Sequence, residues 1–142
     1  IDFNSEEGVL YAEIAAFSND DSYRYMGLTD GTDDNRVIIL YYNNNDRVRV
    51  LLSSGNTKYF DESYVVSSLV DFHKIAVKWK ANDFALWIDG VERATATSGS
   101  APIGLNTLAF NQAGSQDFYG KCKAIKVYKE ALSDTDLQNL TS

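Results

Sequence analysis

Aromatic and guanidinium side chains are the residues of this sequence whose chemistry best suits the binding of a ligand. A sugar ring is held when an aromatic face stacks on its apolar side and planar polar groups bind neighbouring hydroxyls in pairs. Trp87, Tyr25 and Tyr42 offer aromatic faces of this kind. Arg47 and Arg49 offer the paired donors. These residue types predict a glycan-binding surface, provided that the fold brings them together.

The alternation of side chains along a strand decides whether the two tryptophans can be reached by a ligand. Leu86 and Ile88 are expected to face the core, which turns Trp87 to the outer surface of its sheet. There it either stacks on a sugar or is covered by a loop such as 54–64. Trp79 has the parity of the core positions in its own strand, and we expect it to be buried.

The two arginines lie on the polar face of a predicted strand, because Arg47 and Arg49 alternate with valines. They could bind sugar hydroxyls or an acidic sugar, or they could pair with carboxylates on a solvated face. Tyr23 is a further aromatic candidate. Tyr41 and Tyr42 are neighbours in the chain, so they are expected to point to opposite faces of the sheet.

Acidic loops give the sequence a second kind of candidate site. Calcium takes carboxylate and carbonyl oxygens from clustered loop residues. Asp30, Asp33 and Asp34 lie close together in one such loop, and residues 19–21 form another. Neither loop has the spacing of an EF-hand. Calcium is therefore the one cofactor that the sequence suggests, and ordinary polar turns are the alternative.

Catalytic chemistry finds little support in the sequence. His73 is the single histidine and Cys122 the single cysteine, so a Ser-His-Asp or Cys-His arrangement would have to use them. Cys122 lies in a strand-like segment and is expected to be an inert core thiol. We find neither a glycine-rich phosphate loop nor cysteine and histidine at zinc spacing. We therefore predict that the chain is not an enzyme.

The composition narrows the class of partner. The 142 residues suit one domain that covers positions 1–142. A formal net charge of −7 and a pI near 4.6 argue against nucleic acid and anionic membranes as partners. No apolar run approaches membrane-spanning length, and no signal peptide is recognisable. Because the chain opens on strand-like residues at Ile1, we expect a domain excised from a longer protein.

Short segments of alternating apolar and polar residues, separated by turn residues, cover most of the chain. Roughly ten such segments predict an all-β fold, a two-sheet antiparallel β-sandwich of the jelly-roll kind. Residues 36–42 are apolar almost throughout and predict a central strand. The apolar parity shifts between Cys122 and Ile125, which predicts a β-bulge. Ser133, with Asp136 three residues later, predicts the start of one short C-terminal helix.

Two stretches of the sequence resemble a known superfamily. Residues 73–79 (HKIAVKW) and 85–92 (ALWIDGVE) resemble the laminin-G and pentraxin pattern Trp-His-x-Val-Ala-Val-x-Tyr followed by Leu-Tyr-Val-Asp-Gly. Residues 118–134 are similar to the closing pattern of the same superfamily. One departure is Phe72, which stands where the pattern has its Trp. The resemblance to concanavalin A-like, laminin-G-like lectin domains implies a sandwich that binds a glycan.

The resemblance also bears on catalysis and on the biological setting. Glucanases of this superfamily carry Glu-x-Asp-x-x-Glu along one strand, but Glu13 is followed by Ala15 and Ser18 at the matching positions. Residues 104–108 (GLNTL) and 129–134 (KEALSD) resemble domains of bacteriophage tail fibre and tailspike proteins. This likeness implies a virion tail or a cell surface as the location, and a homotrimer in the full-length protein.

The leading hypothesis is a non-catalytic carbohydrate-binding domain that recognises a cell-surface polysaccharide. Each site would be weak, and several copies on one fibre would add avidity. The alternative is a structural, assembly or protein-docking module of a virion tail or a secreted multidomain protein. A groove that combines aromatic and polar groups would favour the first hypothesis. A broad apolar patch would favour the second.

Overall fold

The alternating segments form β-strands in the computed structural model, which describes residues 3–20, 22–42, 46–111 and 116–142. The described elements are, in order, β1 (Glu7–Ala16), β2 (Tyr23–Thr29), β3 (Arg36–Tyr42), β4 (Arg47–Ser54), β5 (Thr57–Val65), β6 (His73–Lys80), β7 (Phe84–Ile88), β8 (Val91–Ala96), β9 (Thr107–Ala109), β10 (Gly120–Tyr128) and α1 (Asp134–Thr141). No helix in these ranges is both long and apolar enough to span a membrane.

The strands form two five-stranded sheets that pack face to face. Sheet I has the strand order β10-β1-β6-β7-β8, and sheet II has the order β5-β4-β3-β2-β9. Neighbouring strands are antiparallel. The predicted two-sheet antiparallel sandwich with one short C-terminal helix is therefore confirmed, and β3 is the central strand of sheet II as predicted.

Inward-facing side chains of both sheets fill the space between them. Fully buried members of this core include Leu10, Ile39, Val50, Leu86 and Trp79. The indole Nε1 of Trp79 donates to the carbonyl oxygen of Ser5 at 3.1 Å, so the core position predicted for Trp79 is confirmed and its polar atom is satisfied. Burial of this apolar surface is the main force that holds the two sheets together.

The β-bulge predicted in the last strand is confirmed. The pairing of β1 with β10 shifts between Glu13, which faces Ala124, and Ile14, which faces Cys122. The bulge lets Ile125 and Val127 pack against the core. Cys122 itself is exposed, so its predicted core position is wrong. The reason is that β10 is the edge strand of sheet I, where one flank of each residue has no neighbouring strand.

The outer face of sheet I is covered by α1. Ser133 caps the helix, because its Oγ accepts a hydrogen bond from the backbone N–H of Asp136 at 3.2 Å, as the sequence predicts. Leu137 is fully buried against five outward-facing residues of β1, β6 and β7, namely Val9, Tyr11, Ala76, Ala85 and Trp87. The backbone N–H of Gly90 donates to Thr141 Oγ1 at 3.1 Å, which ties the helix end to the β7–β8 turn.

We expect Leu137→Ala to lower the free energy of unfolding by about 2–5 kcal/mol, since it removes the side chain that joins α1 to sheet I and leaves a cavity. The matched control is Asn139→Ala, at an exposed position of the same helix, which should change stability by about 0.5 kcal/mol or less. Urea unfolding followed by tryptophan fluorescence measures both. Equal effects of the two substitutions would contradict the packing of α1 described above.

Candidate functional site

No helix or strand among the described residues lies across the outer face of sheet II, and cross-strand pairs form regular rows on it. Two adjacent rows are Tyr25–Leu40–Arg49–Ser63 and Tyr23–Tyr42–Arg47–Val65. Four of the five ligand-binding residues predicted from the sequence therefore lie at neighbouring positions of one sheet. Their role as ligand contacts stays a prediction.

The second row is described in part. The backbone of Tyr42 belongs to β3, but its side chain lies outside the described residues. Tyr23 is 41% exposed at the end of the row. Arg47 donates from Nη1 to Ser63 Oγ at 2.9 Å, which connects this row to the next one.

An apolar cluster occupies the middle of the same face. Ile38, Leu40 and Leu51 are each 5% exposed or less, and the half-buried Tyr25 packs against them. Outward-facing residues of a solvated sheet are usually polar. The apolar centre of this face is therefore itself buried, and the accessible part of the face consists of Tyr25 and the charged residues around the centre.

Arg49 and Asp61 form a bidentate ion pair next to this cluster. Arg49 Nε donates to Asp61 Oδ1 and Nη2 donates to Oδ2, each at 2.8 Å. The hydrogen bond from Arg49 lowers the pKa of Asp61 below its ordinary value, although burial acts to raise it. The charges of Arg49, Lys58 and Arg36 also lower this pKa. The pairing with a carboxylate, one of the two alternatives for Arg49, is thus present. It holds a planar polar group in a fixed orientation.

Trp87 does not belong to this surface. It faces away from the core, as the alternation predicts, but it is only 7% exposed because α1 packs over it. A sugar could not stack on this ring while α1 is in place, so of the two alternatives Trp87 is the covered one, and the cover is α1 and not the loop 54–64. The indole Nε1 of Trp87 is buried without a hydrogen-bond partner among the described residues, which also indicates a site closed to water.

In the loop that contains Asp30, Asp33 and Asp34, the carboxylates of Asp30 and Asp33 are bonded to nearby residues of the chain. Asp30 Oδ1 accepts from the backbone N–H and the hydroxyl of Thr32 at 2.8 and 2.7 Å, and Oδ2 accepts from Asn35 Nδ2 at 3.0 Å. Partial burial would raise the pKa of Asp30, but the hydrogen bonds from Thr32 and Asn35 outweigh it, and the pKa is lowered. Asp33 pairs with Arg36 instead.

These contacts bear on the calcium expected from the sequence. Within the described ranges, no three Asp, Glu, His or Cys side chains converge as metal ligands. The oxygens of Asp30 already accept hydrogen bonds from Thr32 and Asn35, which leaves them fewer lone pairs for an ion, and calcium binding stays a prediction. In the other acidic loop Asp20 makes two hydrogen bonds to the buried guanidinium of Arg24, which lowers the pKa of Asp20.

A cavity of about 190 Å³ opens beside the 30–35 loop, at the end of the face opposite to Tyr23. Its floor comes from sheet II, where Thr107 lies opposite Thr29 and Thr29 lies opposite Arg36. Its rim includes Thr32 and Asp33. Arg36 was not singled out by the sequence. The available signal was its parity, which is that of the outward-facing Ile38 and Leu40.

Asn35 fixes the loop that forms the rim. Its side-chain Oδ1 accepts from the backbone N–H groups of Gly55 and Ile103 at 3.1 and 3.0 Å. Asn35 therefore joins three loops that are far apart in the chain. In the sequence it looks like one more turn residue, and nothing in the local pattern indicates this role.

Comparison with known proteins agrees with this architecture. A family model described as the concanavalin A-like lectin/glucanases superfamily matches residues 11–138. No curated protein matches the chain.

Similar solved structures share the fold at low sequence identity. The CBM40 of the Ruminococcus gnavus IT-sialidase has a TM-score of 0.78 and 18% identity, over 98% of this chain and 84% of the other. Domain 4 of a GH43 extracellular arabinanase from Geobacillus stearothermophilus, in complex with arabinotriose, has a TM-score of 0.78 and 12% identity, over 98% and 68%. A heptameric SAP-like pentraxin from Limulus polyphemus has a TM-score of 0.74 and 13% identity, over 97% and 70%.

We expect Asp61→Asn to lower the free energy of unfolding at pH 7 by about 0.5–1 kcal/mol, the size of a well-formed but partly exposed ion pair. Because the pKa of Asp61 is lowered in the folded state, the pair stabilises the fold above the ordinary value of 3.8 and is lost as the pH falls through the lower folded value. Denaturant titrations of both proteins at several pH values measure the difference. A difference that stays constant from pH 7 down to the acid limit would contradict this prediction.

Proposed function

Because the chain belongs to the concanavalin A-like lectin/glucanases superfamily, we propose that it is a non-catalytic carbohydrate-binding domain and that the outer face of sheet II binds the glycan. One observation carries the proposal. The β-sheet register places Tyr25, Leu40 and Arg49 in one cross-strand row on the face that α1 leaves open. Around the buried Leu40, the row presents an aromatic ring and a guanidinium that is fixed by the neighbouring carboxylate of Asp61.

The chemistry of this row suits a sugar. The half-buried ring of Tyr25 can contact the apolar side of a pyranose or furanose ring. The oxygens of Asp61 can accept from adjacent hydroxyls, because the bidentate bond to Arg49 already fixes their position. Preorganised groups of this kind lose little conformational entropy when a ligand binds.

Solved structures of similar fold give further support, because two of these proteins bind a carbohydrate. The Ruminococcus gnavus CBM40 has also been solved with α2,3 and with α2,6 sialyllactose, and the arabinanase domain was solved with arabinotriose. The same fold thus holds chemically different sugars, so the class of sugar depends on side chains and loops.

The carboxylates near this face do not suggest hydrolysis. Glycosidases place two carboxyl groups on opposite sides of the scissile bond. Of the described residues around the row and the cavity, Asp61 is paired with Arg49 and Asp33 with Arg36. A general acid requires a carboxyl group held in an apolar environment, whereas each of these two carboxyl groups lies beside an arginine.

We further propose that the domain works in several copies, as in a bacteriophage tail fibre or tailspike, on a virion tail or a cell surface, where it contacts a host polysaccharide. A shallow site of this kind binds one ligand weakly, with a binding free energy of about 4–8 kcal/mol. A homotrimer would raise the apparent affinity by engaging several chains at once.

A docking module is the second candidate, and exposed aromatic residues at one end of the sandwich favour it. Phe17 is 62% exposed and Tyr119 is 63% exposed, and the backbone N–H of Phe17 donates to the carbonyl oxygen of Tyr119. The two rings therefore lie on adjacent segments. Exposed aromatic residues of this kind can anchor a partner chain.

A glycan array probed with the domain as a multimer tests the proposal. We expect binding to a defined class of polysaccharide, and a loss of about tenfold or more in Tyr25→Ala and in Arg49→Ala, since each removes one part of the row. The matched control is Arg93→Ala, because Arg93 is an exposed arginine on β8 of sheet I, where it stacks on Tyr64 at 4.1 Å. Melting temperatures confirm that each variant is folded.

Two outcomes of the array experiment would point to a different function or to a different site. If a broad array that includes bacterial surface polysaccharides shows no binding, the carbohydrate proposal fails and the docking candidate, tested by Phe17→Ser, takes its place. If a chelator abolishes binding, a calcium ion is required and the 30–35 loop is the first place to search for it.

A further inference from the structure

Arg36 is the buried charge of sheet II that the fold leaves incompletely bonded. Its side chain is only 9% exposed, and it lines the cavity beside the 30–35 loop. Nη1 donates to Asp33 Oδ1 at 3.1 Å. Nε is buried and has no hydrogen-bond partner among the described residues. A guanidinium has five N–H groups, and a buried donor without a partner is unfavourable, so this edge of Arg36 calls for an acceptor.

The described neighbours of Arg36 do not supply that acceptor. Thr29 lies opposite Arg36, but its hydroxyl donates to the Thr32 carbonyl oxygen at 2.7 Å and accepts from the Gly31 N–H at 3.0 Å. The hydroxyl of Thr107 donates to Asn106 Oδ1 at 2.7 Å. The hydroxyls of Thr29 and Thr107 are thus each engaged with another residue.

Basic side chains are concentrated on this face of an acidic protein. The chain has a formal net charge of −7. The described part of this face combines Arg36, Arg47 and Arg49 with Lys58, whose charge acts on Asp61 together with that of Arg36. Asp61 and Asp33 pair with two of these arginines, and Asp30 and Asp34 lie in the adjacent loop. The face therefore carries mixed charge, and the attraction for an anion rests on the buried Nε of Arg36 and not on a net positive field.

We propose that the cavity beside Arg36 binds the carboxylate of an acidic sugar, so that the glycan recognised by the domain is one that contains uronic or sialic acid residues. This inference rests on the proposed function and names its substrate class. The buried Nε has no hydrogen-bond partner among the described residues, and the planar guanidinium to which it belongs matches the two oxygens of a carboxylate.

The size of the cavity limits the ligand to one sugar residue. Sites for drug-sized ligands measure about 300–1,000 Å³, and this cavity measures about 190 Å³. A terminal or branching acidic sugar would fit into it, while the next residues of the glycan would extend along the row of Tyr25 and Arg49. Ile38 belongs to the cavity lining and to the apolar cluster, which makes the two regions continuous.

The test compares sugars that differ only in the charged group. The intact domain, labelled with ¹⁵N, is titrated with methyl β-D-glucuronide, with the methyl α-glycoside of N-acetylneuraminic acid and with methyl β-D-glucoside. We expect at least one of the two acids to bind about tenfold or more tightly than the glucoside and to shift the Arg36 Nε–Hε signal. Methyl β-D-glucoside 6-sulfate, run in parallel, separates a carboxylate site from a general oxyanion site.

Two substitutions are expected to change the affinity for the acidic sugar in opposite directions. Arg36→Lys keeps the charge but removes the planar fork, so it should abolish the preference for the acid while neutral glycans bind as before. Asp33→Asn removes the competing carboxylate at Nη1 and should strengthen binding of the acid several-fold. Since Asp33 is 54% exposed, this variant is expected to fold normally. Arg93→Lys on sheet I is the matched control.

The possible results separate this inference from the proposed function. If array glycans bind but neither acid exceeds the glucoside, or if Arg36→Lys keeps the full preference, the inference is wrong and the proposed function stands. Equal binding of the sulfate and the carboxylates would overturn the carboxylate assignment. If no glycan binds in either experiment, the proposed function fails, and this inference fails with it.

Discussion

Side chains alternate along each strand, so each sheet of the sandwich has an outer face as well as an inner one. The structure depends on what covers these two outer faces. Side chains at even and odd positions of a strand point to opposite sides, so only half of them can enter the core. In sheet I an apolar group of outer residues, with Val9, Tyr11 and Trp87 among them, is covered by α1 because such a surface is unstable in water. In sheet II the apolar outer residues are buried without a covering helix among the described residues, and Tyr25 and the arginines around them remain accessible. The position of the helix therefore decides which side of the domain is available to a ligand.

The charged residues on the open face are held by their own partners. Arg49 is fixed by two hydrogen bonds to Asp61, and Arg47 by one to Ser63. Long side chains that are free in solution lose rotamer entropy when they bind a ligand, and pairing within the protein removes much of that loss beforehand. Arg36 differs from Arg47 and Arg49, because burial fixes its side chain while its Nε has no hydrogen-bond partner among the described residues. Arg36 is thus both held in place and able to donate a further hydrogen bond.

The features that depend on a local pattern of residues could be predicted from the sequence. The burial of a residue could not be predicted where a distant segment of the chain covers it. Strand parity placed Trp79 in the core and Tyr25 and Arg49 on one outer face, and the bulge before Ile125 and the cap at Ser133 follow from patterns a few residues long. Trp87 was assigned the correct face, but its burial depends on Leu137, fifty positions later in the chain. The same limit applies to Arg36. Its parity was readable, whereas its burial and its cavity depend on a loop whose position is set by Asn35 through Gly55 and Ile103.

The 30–35 loop shows how a common fold can be given a particular ligand. The fold is shared with proteins of 12–20% identity that were solved with different sugars, so the sheets alone do not specify one. The loop adds what the sheet lacks, because Asp30 and Thr32 shape it by internal hydrogen bonds and it then encloses the end of β3. Loops of this kind change more readily than the strands that carry them. The carboxylate of Asp30 thus has a structural role in shaping the rim of the cavity beside Arg36, whether or not the loop also binds calcium.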